Sequence, residues 1–186
     1  MRVLATFSKA AIVAAALAIA PAAFAANAMV GGSAMISSKD IIENATNSKD
    51  HTTLVAAVNA AGIVERLKGA GPFTVFAPLN SGFDALPAGT VDALLKPENK
   101  TRLANILNYH VVAGAMTSGD IAAKAKASHG KLVLNTIAGG MIVLEPDGHD
   151  GWHVVDEHGE KARITIANLF QSNGVIHVID HVLMPN

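Results

Sequence analysis

The 186-residue sequence predicts an α+β fold. Three observations point there. Apolar residues from about residue 39 to 126 recur mostly at helical spacing, and beyond Lys126 they gather into short β-type runs. A single β-type run, Phe73-Thr-Val-Phe-Ala77, interrupts the helical half. Helices first and strands afterwards is the order of an α+β domain. The length fits one hydrophobic core with a short appendage, because single cores grow comfortably to about 150 residues.

The first 28 residues stand apart from that domain. Arg2 and Lys9 give a basic start, Ala10–Ala20 is an apolar run too short for the roughly 20 residues that span a bilayer, and small residues follow at Ala23-Phe-Ala25 and Ala26-Asn-Ala28. This is the pattern of a secretory signal cleaved after Ala25 or Ala28, and it predicts a secreted or periplasmic product. Residues 29–38, MVGGSAMISS, lack periodicity and are expected to be a flexible lead-in, so the domain covers residues 39–186.

Within the domain, Leu54, Val55 and Val58, then Ile63, Val64 and Leu67, predict two short helices broken at Ala61-Gly62. Gly69-Ala-Gly-Pro72 is a turn, and the strand that follows it stops at Pro78. Asn80 is the expected N-cap of a short helix through Phe83 and Leu86, and Val91–Leu95 gives another ahead of Pro97. Asn99–Asn108 sets Leu103, Ile106 and Leu107 on one face and leads into Tyr109-His-Val-Val112. Strands are expected at Lys131–Asn135, Met141–Glu145, Trp152–Asp156, Ala162–Ala167 and Val175–Leu183.

Composition excludes several classes of function. Net charge is −1, and removing Arg2 and Lys9 with the signal leaves 12 basic against 15 acidic residues, a net −3. Such a surface carries no basic field for a phosphate backbone, so no nucleic-acid partner is expected. The absence of cysteine removes disulfides, thiolate metal sites and a thiol nucleophile. No second apolar run approaches membrane length, so no integral span is expected after signal removal, and the product is expected to be a monomer.

Two stretches gather chemically able side chains. The closing segment NGVIHVIDHVLMP carries His177, Asp180 and His181 among apolar residues, which places the histidines in a core strand with internal hydrogen-bond partners. His181, nearer the chain end, is expected to be the more exposed. The segment EPDGHDGWHVVDEHGE, residues 145–160, gathers His149, His153 and His158 with five nearby acids, a reasonable donor set for a divalent ion. Its spacing matches no zinc signature, and Asp147-Gly-His-Asp-Gly151 is equally the composition of a polar hairpin tip. Gly69-Ala-Gly71 begins like a dinucleotide fingerprint, but Thr74 stands where the third glycine is needed and the chain enters a strand. No cofactor is expected, and no nucleophile elbow, phosphate loop or paired-histidine zinc motif occurs.

GPFTVFAPLNSGFDALP (71–87), ILNYHVV (106–112) and NGVIHVIDHVLMP (173–185) occur in the order and at the separations of a fasciclin domain. From about Lys39 to Pro185 the sequence resembles single-domain secreted bacterial fasciclin proteins. The resemblance implies a β-wedge of two sheets carrying a layer of short helices, and a class of adhesion and interaction modules rather than of enzymes. It also implies candidate partner-binding residues. Tyr109-His110 matches the pair attributed to integrin-binding members, flanked here too by aliphatic residues. Asn168-Leu169 stands where some animal relatives carry Asp-Ile, and an asparagine cannot supply a metal-coordinating carboxylate.

Three functional readings follow. The leading one is a non-catalytic fasciclin module that engages a protein or polysaccharide of the envelope or matrix. The second is a periplasmic metal or small-ligand binder using the 145–160 hairpin, with His149, His153 and His158 as ligands. The third is a hydrolase with a dispersed Ser-His-Asp triad.

Overall fold

The structure, a computed structural model, describes residues 28–186, so the expected signal segment lies, but for Ala28, outside the described residues. The chain order is β1 (Met29–Val30), β2 (Ser33–Ala34), α1 (Ile41–Asn47), a 3-10 turn (Lys49–His51), α2 (Thr52–Ala61), α3 (Val64–Lys68), β3 (Phe73–Pro78), α4 (Asn80–Asp84) and α5 (Thr90–Leu94). It continues with α6 (Lys100–Tyr109), β4 (Val111–Ala113), α7 (Ser118–Ala127), β5 (Leu132–Asn135), β6 (Met141–Pro146), β7 (Trp152–Val155), β8 (Lys161–Gln171) and β9 (Gly174–Ile179).

Local chemistry explains several helix ends. Asp40 and Glu43 form a reciprocal capping box at the start of α1, and Thr117 and Asp120 form another at α7. Gly62 closes α2 at φ 69°, a left-handed conformation that glycine adopts without steric cost. Asn80 does not cap α4 as expected, because Leu79 takes the N-cap position. The Asn80 amide instead accepts from the Thr53 N–H and donates to the Lys49 carbonyl, docking α4 against the start of α2.

Residues 29–38 depart from the irregular lead-in that their sequence predicts. Val30 pairs with Ser33 and Met29 with Ala34 across Gly31-Gly32, whose φ values of 58° and 77° give the two-residue turn that matches strand twist. Val30 and Met35 are buried, and the Lys49 N–H donates to the Gly31 carbonyl. Strands of two residues are too short to show a period, which is why the pattern gave no sign of them.

Seven strands form one sheet in the order β4-β3-β9-β8-β7-β6-β5. Only β3 and β9 run parallel, joining early and late parts of the chain, with Phe76 opposite His177. The two expected sheets are halves of this one. The 11-residue β8 belongs to both, and register shifts between Ile164 and Ile166 and between Ile166 and Leu169 bend it. A bridge between Val112 and Thr136 brings the outer ends of the sheet together, so it is nearly closed.

Two cores result from strand alternation on β3 and β9. Val75, Ala77, Ile176 and Val178 face the helix layer, where they meet Leu54, Val58, Leu67, Leu103 and Leu107. Phe76 and Ile179 face the wedge interior with Tyr109, Ile121, Ile142, Leu144 and Val154. All six residues of β9 are buried, and full burial of each large aliphatic side chain contributes about 1.5–3 kcal/mol. The β9 ladder ends at Ile179 rather than continuing to Leu183. Beyond it the Asp180 carboxylate accepts the Arg163 N–H, while Val182 and Leu183 stay buried outside any strand.

Candidate functional site

The family-implied residues occupy three places around the β3–β9 pair. Tyr109, at the end of α6, is fully buried; its hydroxyl donates to the Met141 carbonyl (2.5 Å) and accepts from the Glu157 N–H (3.1 Å). Burial pushes the phenol up to about 12, beyond what the accepted hydrogen bond offsets. His110 is buried beside it. Its Nδ1 lies 2.8 Å from the Ile106 carbonyl and its Nε2 accepts the Leu183 N–H at 2.9 Å, so the ring is neutral with the proton on Nδ1. Desolvation lowers its pKa to about 4. The pair ties α6 to the β6–β7 half-sheet and to the C-terminal tail, and neither side chain reaches solvent.

Asn168 sits in the bend of β8 at φ 61°, a region in which asparagine is enriched among non-glycine residues. Its Oδ1 accepts the Ser118 N–H and its Nδ2 donates to the Ser118 hydroxyl, both at 2.7 Å, which fastens the bend to the first turn of α7. Leu169 points into the helix-layer core. The next residue, Phe170, is 51% exposed on the edge of an open groove that Pro72, Ala115 and Thr117 also line. A partner approaching this fold from solvent therefore meets Asn168 and Phe170, not Tyr109, His110 or Leu169. Pattern reasoning missed Phe170 because strand alternation in β8 is broken by its bulges.

His177 is fully buried, as its apolar neighbours predict. Its Nε2 lies 2.9 Å from the Met116 carbonyl, its Nδ1 faces the Asn168 N–H at 3.4 Å, and its ring stacks on Phe76 at 5.7 Å between centroids. Burial lowers its pKa, with the Met116 carbonyl opposing. His181 is exposed, and its Nδ1 pairs with the Asp180 carboxylate at 2.8 Å.

The 145–160 stretch does not form one site. His149 lies in the turn before β7 and His158 in the turn after it, and a four-residue strand separates them by about 13 Å of extended chain. His149 and His153 line an open groove with Asp147 and Arg163, whose guanidinium pairs with the Asp147 carboxylate at 3.1 Å. Four of the acids, Glu145, Asp147, Asp156 and Glu157, already hold partners. Asp147 accepts the N–H groups of His149 and Gly151, and Asp156 accepts those of His158, Glu160 and Met184. Glu145 lies between Lys161 and Lys131, whose hydrogen bonds hold it down at about 2. Among the described residues no three His, Asp or Glu side chains converge as a metal site.

A Ser-His pair does occur. Ser48 Oγ lies 2.9 Å from His51 Nδ1, and burial lowers the His51 pKa against the pull of Asp50. Both residues are buried, and Gly31 of the β1–β2 hairpin packs directly over the Ser48 hydroxyl, so no substrate carbonyl can reach it. Among the described residues no carboxylate bonds the His51 ring to complete a triad.

One apolar concave feature gave no signal in the sequence pattern. It is an apolar cavity of about 280 Å³ between α1, α2, α3 and the sheet, with Val75, Ala77, Val111 and Ile176 at its floor. Among the described residues no helix is long and apolar enough to cross a membrane.

A nearly closed wedge of two half-sheets that share one bent strand, with short helices layered on β3 and β9, defines the class of fold. The fasciclin domain model matches residues 49–185, and the chain belongs to that family. It is 45% identical over 159 residues to "Protein sll1483" of Synechocystis sp., covering 86% of this chain and 81% of that one. It is 38% identical over 132 residues to the transforming growth factor-beta-induced protein ig-h3 of Sus scrofa, covering 71% of this chain but 17% of the relative. Among solved structures it resembles a FAS1 domain pair from the insect cell adhesion molecule fasciclin I, with a TM-score of 0.70, 17% identity and coverage of 78% of this chain and 51% of that one.

Proposed function

We propose that this chain is a secreted or periplasmic, non-catalytic fasciclin module that binds a protein or polysaccharide of the cell envelope or matrix and acts as a monomer. Its first 28 residues serve as the export signal. The observation that carries the reading is the surface at Asn168–Phe170. There a half-exposed aromatic stands beside the β8 bend on a family fold whose insect relative is named a cell adhesion molecule. Large apolar side chains held at the surface are the usual anchors of protein recognition. The engaged carboxylates of Glu145, Asp147, Asp156 and Glu157 and the covered Ser48 favour binding over chemistry.

The test is fractionation of the native cell followed by crosslinking capture with the intact protein as bait. The product is expected outside the cytoplasm, shortened by the signal segment, and linked to a specific envelope component. A full-length cytoplasmic pool, or capture no richer than that of an unrelated secreted control, contradicts the proposal.

A further inference from the structure

We infer that the cavity of the helix layer is a binding site for a single-chain aliphatic carboxylate, its tail among α1, α2 and α3 and its head at Lys68. This goes beyond the surface recognition proposed above and stands independently of it.

The volume sets the question. Protein interiors pack to crystal density and leave few voids larger than a water molecule, yet this space measures about 280 Å³. An engineered apolar cavity of about 150 Å³ lined by Leu, Ile and Phe stays dry and takes up benzene. A larger cavity of the same lining suits a larger apolar guest.

The lining says what kind of guest. Ile41, Leu54, Val58 and Leu67 form the walls, and all are buried. His110 contributes to the floor, but both of its ring nitrogens are already bonded to backbone, so it offers nothing polar to a ligand. The interior therefore selects hydrocarbon.

The mouth is different. Its exposed lining residues are Thr46, Asn59 and Lys68, and among the described residues no acid lines the cavity. Lys68 makes no ion pair among the described residues, so its ammonium is available to a ligand. An apolar chamber with one cation and two neutral polar groups at its entrance matches an anionic head on an aliphatic tail. The helices that frame the entrance are short, five residues in α3 and seven in α1, which lets them part slightly for entry.

The experiment titrates the intact protein by calorimetry with hexanoate, octanoate, decanoate and dodecanoate, and with the matching alcohols. Affinity is expected to rise about fourfold per methylene until the cavity is full and then to level off. Each carboxylate is expected to bind several-fold more tightly than its alcohol. Lys68→Glu, on an exposed position, is expected to weaken the carboxylates by about threefold to tenfold and leave the alcohols unchanged. Val64→Trp, at the half-buried rim, is expected to abolish both. If that variant does not fold, the Lys68→Glu comparison still decides the matter. Affinity independent of chain length, equal binding of acid and alcohol, or no effect of Lys68→Glu overturns the inference.

Discussion

Replacing His177 with alanine should be among the most damaging single changes in this protein. The imidazole is fully buried, donates from Nε2 to the Met116 carbonyl, and stacks on Phe76. Alanine leaves that carbonyl unpaired in the interior, at a cost of about 1–3 kcal/mol. It also leaves a ring-sized void against Phe76, which adds about 2 kcal/mol on the scale of large-to-small core substitutions. The Met116 segment is further held by Thr74, whose hydroxyl accepts the Met116 N–H, so the loop cannot simply collapse into the space. A total near 4 kcal/mol is a large share of the roughly 5–15 kcal/mol that holds a domain together. At about 2–4 °C per kcal/mol for a domain of this size, the melting midpoint should fall by about 10 °C. Differential scanning calorimetry reads this directly, with His149→Ala and His181→Ala as exposed controls expected to stay within about 2 °C. A His177→Ala protein that melts within about 2 °C of the parent, or keeps its stability while losing a partner, refutes the structural role.

Three further outcomes follow from the same physics. Burial holds His110 at about 4, whereas the unfolded chain takes up that proton near 6.5. Its contribution is thus complete above pH 6.5 and drains as pH falls toward 4, by about 3 kcal/mol in all. His51 and His177 push the same way, and urea melts at pH 7, 6, 5 and 4 should show the decline. Asn173 accepts the Ile41 N–H and donates to the Leu67 and Gly69 carbonyls, so Asn173→Ala should cost about 2 kcal/mol by urea denaturation with an unchanged m-value. Calorimetry at pH 7 with zinc, copper, nickel and calcium should find no site tighter than about micromolar, equivalent to about 8 kcal/mol. A one-to-one sub-micromolar site lost in His153→Ala would restore the hairpin as a metal centre.

Much of the fold was legible because its signals are local. The break at Gly62, the stop at Pro78 and the apolar density of Val175–Ile179 each act within a few residues, and the structure places an element boundary or a core strand at each. What escaped depends on partners distant in sequence. The Gly31-Gly32 hairpin gains its stability from Asn47 and Lys49 rather than from its own two-residue strands. Asn80 gives up the cap of its own helix for contacts to Lys49 and Thr53. At the candidate site the residue types were visible but their facing was not. His149 and His158 look adjacent in a string and fall at opposite ends of β7. Phe170 gains its exposure from bulges that no period reveals. The cavity under α1–α3 arises from how three short helices sit on the sheet, and no single one of them encodes it.

Recognition is proposed at Asn168–Phe170, whereas Tyr109 and His110 are buried within the fold. Crosslinking capture from the native envelope, run side by side on the parent, Phe170→Asp and Tyr109→Phe proteins with a melting curve for each, tests it most directly. Phe170→Asp is expected to lose the captured component while melting within about 2 °C of the parent. Tyr109→Phe, which leaves the Met141 carbonyl and the Glu157 N–H without their hydroxyl partner, should melt several degrees lower yet keep the component. Retained capture by Phe170→Asp together with lost capture by a fully stable Tyr109→Phe would contradict it.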